Sequence, residues 1–380
     1  MTIPGMQIDQ ATTLLGGISP ATFMRRYWQK KPLLVRQALP GITPPITRAD
    51  MFALAQQEDV ESRVIVAKGD AWKLRHGPLP RQALPAVKQP RWTLLVQGLD
   101  HHVPAAHELL SRFRFVPQAR LDDLMISWAS EGGGVGAHMD NYDVFLIQVQ
   151  GKRRWRIGPV QDESLVPGVP LKLLANFQPT EDVVLEPGDM LYLPPRWGHD
   201  GTAVDGECMT CSAGFRVPCE DDLARELLQR LPELMDEEEK GRLYRDPKQP
   251  ATATPGEIPQ ALSDFARRAL ERALRDPALL QAALGEILSE PKPIVWFEQN
   301  EDADVAGGVA LHRRSRMMYD EKFVFINGES FRAGGRDARL MRRLADEGRL
   351  SARDVAALSE DAHELLRDWA CAGWVQPLEA

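Results

Sequence analysis

Three residues near the middle of this 380-residue chain have the types and spacing that hold a metal ion. His138 and Asp140 are one residue apart, so in an extended strand their side chains leave the same face. His199 follows a strand-like run, a double proline and Trp197-Gly198, which would bring it in on another strand. Two imidazoles and a carboxylate on one side of a metal, with the other positions open, is the non-haem iron(II) oxygenase arrangement. His-x-Asp alone is a common accident. The other six histidines (His76, His101, His102, His107, His312 and His363) are read as surface or core residues with no ligand role. The glycine run at 132–136 sharpens the signal, because backbone without Cβ atoms can turn sharply and pass close to a bound group.

Between the candidate ligands lies Lys152-Arg153-Arg154-Trp155-Arg156-Ile157. Strand alternation puts Arg153, Trp155 and Ile157 on one face and Lys152, Arg154 and Arg156 on the other. The first face is apolar apart from Arg153, which is therefore expected to point inward. A buried guanidinium keeps its charge and costs several kcal/mol unless it is paired. A ligand carboxylate suits it, since the fork grips both oxygens through parallel hydrogen bonds. An internal aspartate or glutamate is the alternative partner. A metal triad with a buried carboxylate clamp points to 2-oxoglutarate as cosubstrate.

The elements that must position these residues read as a barrel. Short strands at 63–66, 92–97, 124–128, 144–149, 190–193 and 210–217, separated by turns, predict an antiparallel double-stranded barrel. Pro187 and Gly188 stand at the central places of a type II turn. Ahead of the barrel, Ser19-Pro20 caps and opens a helix bearing Phe23 and Tyr27. Thr47 and Asp50 open a second helix running to Leu54, and 105–113 reads as a third.

After Pro218 the pattern changes. Leu223, Leu227, Leu228, Leu231 and Leu234 recur at helical spacing, 249–255 is a Pro/Thr/Ala linker, and 258–288 is helical with a break near Asp276-Pro277. Helices that cannot bury their own apolar face predict a dimerisation surface; packing onto the barrel is the alternative. Beyond Pro291-Lys292-Pro293, strands at 316–319 and 322–326, the Asn327-Gly328 hairpin turn and helices at 338–347 and 351–369 resemble a winged helix. Its Arg339, Arg342 and Arg343 are interleaved with Asp337, Asp346, Glu347 and Asp354, so no direct DNA binding is expected. The expected division is a catalytic domain over 1–218, a helical dimerisation region over 219–290 and a winged-helix-like domain over 291–380.

A net charge of -8 argues against a broad electrostatic nucleic-acid binder. No run of about 18 apolar residues and no signal-peptide pattern occur, so no membrane association and a cytoplasmic location are expected. Cys208 and Cys211 form a Cys-x-x-Cys, but no second pair or paired histidines lie nearby to complete a zinc site. With Cys219 and Cys371 they are read as small, reduced residues.

On Gly-Gly-Gly-Val-Gly-Ala-His-Met-Asp at 132–140, Arg153, and Pro-Gly-Asp-Met-Leu-Tyr-Leu-Pro-Pro-Arg-Trp-Gly-His at 187–199, the chain resembles the JmjC 2-oxoglutarate oxygenases. With Tyr27-Trp28-Gln29-Lys30-Lys31-Pro32 and Asp122-Asp123-Leu124-Met125-Ile126-Ser127 added, the whole length is similar to the bacterial ribosomal oxygenase branch, which hydroxylates an arginine of ribosomal protein L-sixteen. The resemblance implies a mainly β catalytic domain of the JmjC/cupin-like double-stranded β-helix type, an all-α dimerisation region and a winged-helix-like α+β module. It implies a homodimer with iron(II), 2-oxoglutarate and O2 as cofactors. Carried across, His138, Asp140 and His199 would ligate iron, Arg153 would hold the distal carboxylate of 2-oxoglutarate, and Ser127 would add a hydroxyl to that pocket. Lys152 departs from relatives with a third arginine, but by parity it faces outward. For an arginine substrate, Asp122, Asp123 and Asp143 are the candidate acids at the barrel mouth.

The same iron chemistry would serve a histidyl hydroxylase or a methyl-lysine demethylase, although no aromatic cage for a methylated lysine stands out. A non-catalytic cupin-like binding protein is the other alternative, and an intact triad with an inward Arg153 has no purpose there.

Overall fold

The computed structural model describes residues 7–69, 71–235 and 242–378, which fall into two compact units. The first holds the chain up to Val217 with 292–299 and 312–314. Its strands are β1 (Leu33–Val35), β2 (Ser62–Lys68), β3 (Ala71–His76), β4 (Trp92–Val96), β5 (Leu121–Ala129), β6 (His138–Met139), β7 (Asp143–Pro159), β8 (Glu181–Leu185), β9 (Met190–Leu193) and β10 (Trp197–Phe215). They form one antiparallel sheet in the order β1-β9-β7-β10-β5-β4-β2-β3, with β6 added to β10 and β8 to β7. This is the expected JmjC-type β core.

The two longest strands organise it. β7 and β10 pair from Asp143↔Phe215 to Pro159↔Trp197, so the expected strands at 144–149 and 152–157 are one, and 210–217 is only the end of a strand that starts before His199. A register shift between Val204 and Met209, where Asp205 and Gly206 take positive φ, lets β10 bend without breaking. The turn into β9 is type II as expected: Gly188 has φ +97° and the Asp189 N–H donates to Glu186 O at 2.9 Å. Asp189 then ties the turn to the chain after β1, accepting from the Gln37 N–H at 2.9 Å and from Arg36 at 2.6 Å.

Helices α1 (Pro20–Arg26), α2 (Arg48–Leu54), α3 (Leu99–His102) and α4 (Pro104–Ser111) belong to this unit, α1 and α2 capped by Ser19 and Thr47 as expected. They cover a core in which Phe23, Trp28, Phe145, Tyr192 and Phe215 pack ring against ring and Trp92 lies 4.6 Å from Trp128. Cys208 and Cys211 are buried strand residues, as read from the sequence. Cys219 is exposed and Cys371 partly so.

The second unit contains α5 (Glu220–Leu234), α6 (Gln260–Ala273) and α7 (Pro277–Ser289), with Asp276 capping α7 at the expected break. It also contains β11 (Gly308–Leu311), β12 (Met317–Tyr319), β13 (Phe323–Ile326), β14 (Glu329–Arg332), α8 (Gly335–Glu347), β15 (Arg349–Ser351), α9 (Ala352–Val355), α10 (Glu360–Cys371) and β16 (Val375–Pro377). Asn327 and Gly328, both at positive φ, close the β13–β14 hairpin. The single helix expected at 351–369 is two, because Ser351 and Ser359 each accept from a backbone N–H three residues on and start separate helices. No described helix is long and apolar enough to cross a membrane.

Candidate metal and cosubstrate site

The sheet register brings the sequence-predicted ligands together. His138 on β6 stands directly opposite His199 on β10, and Asp140 follows β6 immediately. The imidazole centroids are 4.2 Å apart, and His199 Nε2 is 3.6 Å from Asp140 Oδ2. One donor atom from each of the three residues lies within 4.8 Å of the others. Backbone carbonyls fix the histidine tautomers: Nδ1 of His138 is 2.9 Å from Gly136 O, and Nδ1 of His199 is 3.0 Å from Trp197 O. A carbonyl oxygen only accepts, so both Nδ1 atoms carry protons and both Nε2 atoms keep a lone pair for a metal. Burial, with the neighbouring His138, pushes the pKa of His199 down to about 4, leaving the ring neutral at neutral pH.

The glycine run carries His138 to this place. A Cβ on Gly134 would lie 2.4 Å from the Gly201 carbonyl of β10, so only glycine permits the strands to run this close. The isolated bridge Gly134↔Thr202 sits there, just ahead of the β6–β10 pairing.

Arg153 points inward, as strand parity requires. It is 2% exposed, while Arg154 and Arg156 face solvent. Lys152, half-buried, pairs with Glu186 and Asp205, so the departure at that position stays outside the barrel. The Arg153 guanidinium donates to Ser127 Oγ at 2.9 Å, Thr210 Oγ1 at 3.3 Å and Gly201 O at 3.3 Å, and lies 5.1 Å from the Trp155 ring centroid. All of these partners are neutral. Its Nε is buried without a hydrogen-bond partner. Among the described residues no carboxylate pairs with it, which rules out the internal aspartate or glutamate considered from the sequence. A buried, uncompensated cation of this kind calls for an anion from outside the chain.

Triad and guanidinium open into one cavity of about 440 Å³, also lined by Ser127, Thr210 and Trp155. The residues therefore fit a divalent metal with a dicarboxylate such as 2-oxoglutarate: the donor set is two nitrogens and one oxygen, and the cation is fixed on the same cavity wall. The same cavity is also lined by Asp122, Asp123, Met125 and Tyr142. Asp143 is not a cavity residue. It is buried, accepting from the Tyr192 hydroxyl at 2.6 Å, the Gln29 amide at 3.1 Å and Arg120 at 3.3 Å, and its expected place at the mouth is corrected here.

Sequence reasoning missed Thr210, Gly201 and Tyr142. Thr210 is paired with Ser127 across β5 and β10, and Gly201 with Trp155 across β10 and β7, so register alone brings them to Arg153. Tyr142 lies in the bend between β6 and β7, where no alternation applies, and its place in the cavity follows only from the fold.

Comparison with known proteins agrees with this geometry. A JmjC domain family matches residues 108–223, and a ROXA-like winged helix family matches 271–376. The chain is 33% identical over 352 residues to the ribosomal protein uL16 3-hydroxylase of Escherichia coli K12, covering 89% of this chain and 92% of that protein. The X-ray structure of E. coli YcfD superposes with a TM-score of 0.81 at 29% identity, covering 93% of this chain and 97% of that one. The E. coli ribosomal oxygenase YcfD in complex with cobalt and 2-oxoglutarate gives a TM-score of 0.78 at 29% identity, over 96% and 98% of the two chains.

Proposed function

The chain belongs to the ribosomal oxygenases of the JmjC class, iron(II)- and 2-oxoglutarate-dependent dioxygenases, and from that membership we propose that it hydroxylates an arginine side chain of large-subunit ribosomal protein L-sixteen. In this reading His138, Asp140 and His199 hold the iron, Arg153 receives the distal carboxylate of 2-oxoglutarate, and Ser127 fixes the guanidinium fork. The observation that carries it is Arg153, a buried guanidinium with three neutral partners and no acid, in the same cavity as the triad.

When bound, iron and 2-oxoglutarate supply oxidative decarboxylation of the keto acid by O2, giving succinate, carbon dioxide and one oxygen atom for an unactivated C–H bond. The chain's own residues bind, orient and exclude water. Carbonyl-anchored imidazoles keep their Nε2 atoms aimed at one point. Trp155, Val144 and Leu146 line the same cavity and keep its wall apolar. Asp122 and Asp123 line the same cavity and would accept from the substrate guanidinium there.

The test is mass spectrometry of an arginine-bearing loop peptide of ribosomal protein L-sixteen after incubation with iron(II), 2-oxoglutarate and O2. A gain of one oxygen on the arginine, absent with His138→Ala, supports the reading. Oxygen on a histidine peptide, or demethylation of a methyl-lysine peptide, with the arginine peptide untouched, would replace it with one of the sister activities.

A homodimer built through the helical region belongs to the same reading. None of the residues of α6 is buried, and Leu262, Leu270 and the following Leu274 are 39%, 51% and 40% exposed, an apolar stripe at helical spacing. Sedimentation should give a dimer for the natural chain and a monomer for Leu270→Glu; a monomeric natural chain would refute this. A cytoplasmic site of action goes with the proposed ribosomal substrate.

A further inference from the structure

Two aspartates of the cavity wall are paired with a cation that is not itself a lining residue. Lys292, held between Pro291 and Pro293, donates to Asp123 Oδ2 at 2.7 Å and lies 3.3 Å from Asp122 Oδ1. Its side chain is 25% exposed, and Asp123 only 2%. The Gln97 amide spans both Asp123 oxygens at 3.0 Å and accepts from Arg63 at 3.2 Å. Arg216 donates to Asp122 Oδ1 at 3.1 Å. Asp100 on α3 is buried beside Asp123 and accepts from the Leu124 N–H at 2.8 Å. Asp123 is thus gripped by Gln97 and Lys292 and lines the cavity together with Gly214. A Cβ there would meet nothing nearer than Asp123 O and Oδ1, at 3.9 and 4.0 Å.

Three aspartates, Asp100, Asp122 and Asp123, share this spot with Lys292 and Arg216, while Arg63 reaches it through Gln97 and His101 lies 3.8 Å from Asp100. A carboxylate accepts more hydrogen bonds than the Gln97 and Lys292 donors give Asp123. Asp122 and Asp123 both line the cavity, so a cationic side chain entering it meets the carboxylate that Lys292 and Gln97 hold.

We propose that Lys292 is a positioning residue that orients the Asp122–Asp123 pair and presents Asp123 to the cationic side chain of the substrate. The inference rests on the arginine reading above and adds a residue to it. Lys292 neither touches the reacting atoms nor plugs the cavity. Burial, more than any neighbour, holds the Asp123 carboxyl above the usual carboxylate range, and Lys292 opposes it most strongly, with Asp122 pushing the other way. Asp100 is raised to about 7 by burial and then by Asp123. Arg216 acts on Asp122, Tyr142 and Arg63 line the same cavity, and His101 lies beside Asp100. Removing the ammonium therefore moves Asp123 further toward its protonated form, in which it accepts a guanidinium less well.

The experiment uses full-length protein carrying [γ-¹³C]aspartate, with the Asp123 signal assigned by Asp123→Asn, alongside steady-state kinetics on the L-sixteen loop peptide from mildly acid to mildly alkaline pH. In Lys292→Met the Asp123 midpoint should rise by about one pH unit or more. Peptide KM should rise about tenfold or more, most on the acid side, with kcat changing far less. Lys292→Arg should restore most of both, and Lys292→Gln, which keeps a donor but no charge, should behave like Met; it serves if Lys292→Met does not fold. An unmoved midpoint, an unmoved KM or pH profile, or a KM that falls would overturn the inference. Natural enzyme that leaves the peptide unmodified would remove the substrate reading and this inference with it, whereas natural turnover with an indifferent Lys292→Met would overturn the inference alone.

Discussion

Replacing Arg153 with methionine separates two accounts of this buried cation. If Arg153 served the fold, its removal would act like breaking a buried ion pair, which costs about 3–5 kcal/mol. The geometry argues otherwise: its three acceptors are neutral, its Nε is unpartnered, and the charge is uncompensated. Methionine fills much of the same volume and removes the charge, so cofactor-free Arg153→Met should be within about 1–2 kcal/mol of the natural protein. Cosubstrate binding should suffer instead. Loss of a desolvated, charge-assisted carboxylate clamp is worth about 3–4 kcal/mol, or about a hundred- to a thousandfold in the affinity for 2-oxoglutarate. The assay is a pair of melting curves with a redox-inert divalent metal, without and with 2-oxoglutarate, together with calorimetric titration. At a free concentration about 100 times the dissociation constant, the ligand should stabilise the natural protein by about 2.7 kcal/mol, a shift of a few degrees, and the variant by no more than about 0.4 kcal/mol. A variant that binds 2-oxoglutarate within about threefold of the natural protein, or that melts without ligand as if an ion pair had been broken, would refute the reasoning.

Three further outcomes follow from the geometry. Asp100 is raised to about 7 by burial and by Asp123, above its unfolded value, so its contribution to stability is full below the unfolded pKa of about 4 and is lost as pH rises through about 7. Asp100→Asn, whose amide oxygen can still accept from Leu124 N–H, should be more stable than the natural protein at alkaline pH by up to about 4 kcal/mol, the gap closing toward pH 4, as read by urea unfolding. In Gly201→Ala the new Cβ would lie 2.6 Å from the Trp155 ring and 2.9 Å from Arg153 Nε, so displacing both should cost about 1–3 kcal/mol of stability and about tenfold or more in 2-oxoglutarate affinity, measured by melting and titration. Chelation should lower the melting temperature of metal-loaded natural protein and leave His138→Ala, which lacks a ligand, where it was.

Local chemistry was legible in the sequence wherever one strand or one cap carried it. The spacing of His138 and Asp140, the parity of Arg153 against Arg154, the Pro187-Gly188 turn and the Ser19 and Thr47 caps each rest on interactions within a few residues, and each is found in the structure. What failed depended on partners distant along the chain. β3 was not foreseen although Trp72 and Leu74 alternate with Lys73 and Arg75, because the run is short, rich in charge and defined only by its pairing with β2. β7 was cut in two because Gly151 looks like a break, while its left-handed φ of +63° sits beside the bend of β10. Asp143 was placed at the mouth for its charge, but Tyr192 and Gln29, neither close to it in sequence, draw it inward. Lys292 could not have been connected to Asp123, 169 residues away, by any pattern in the chain.

The central claim is that Arg153 and the triad together run a 2-oxoglutarate-coupled oxygenation, and labelled oxygen tests it most directly. With iron(II), 2-oxoglutarate, ¹⁸O2 and the L-sixteen loop peptide, the account predicts one labelled oxygen atom in each hydroxylated peptide and one succinate for each hydroxylation, both abolished in Asp140→Ala. Product whose oxygen comes from water, or hydroxylation that proceeds without consuming 2-oxoglutarate, would contradict it.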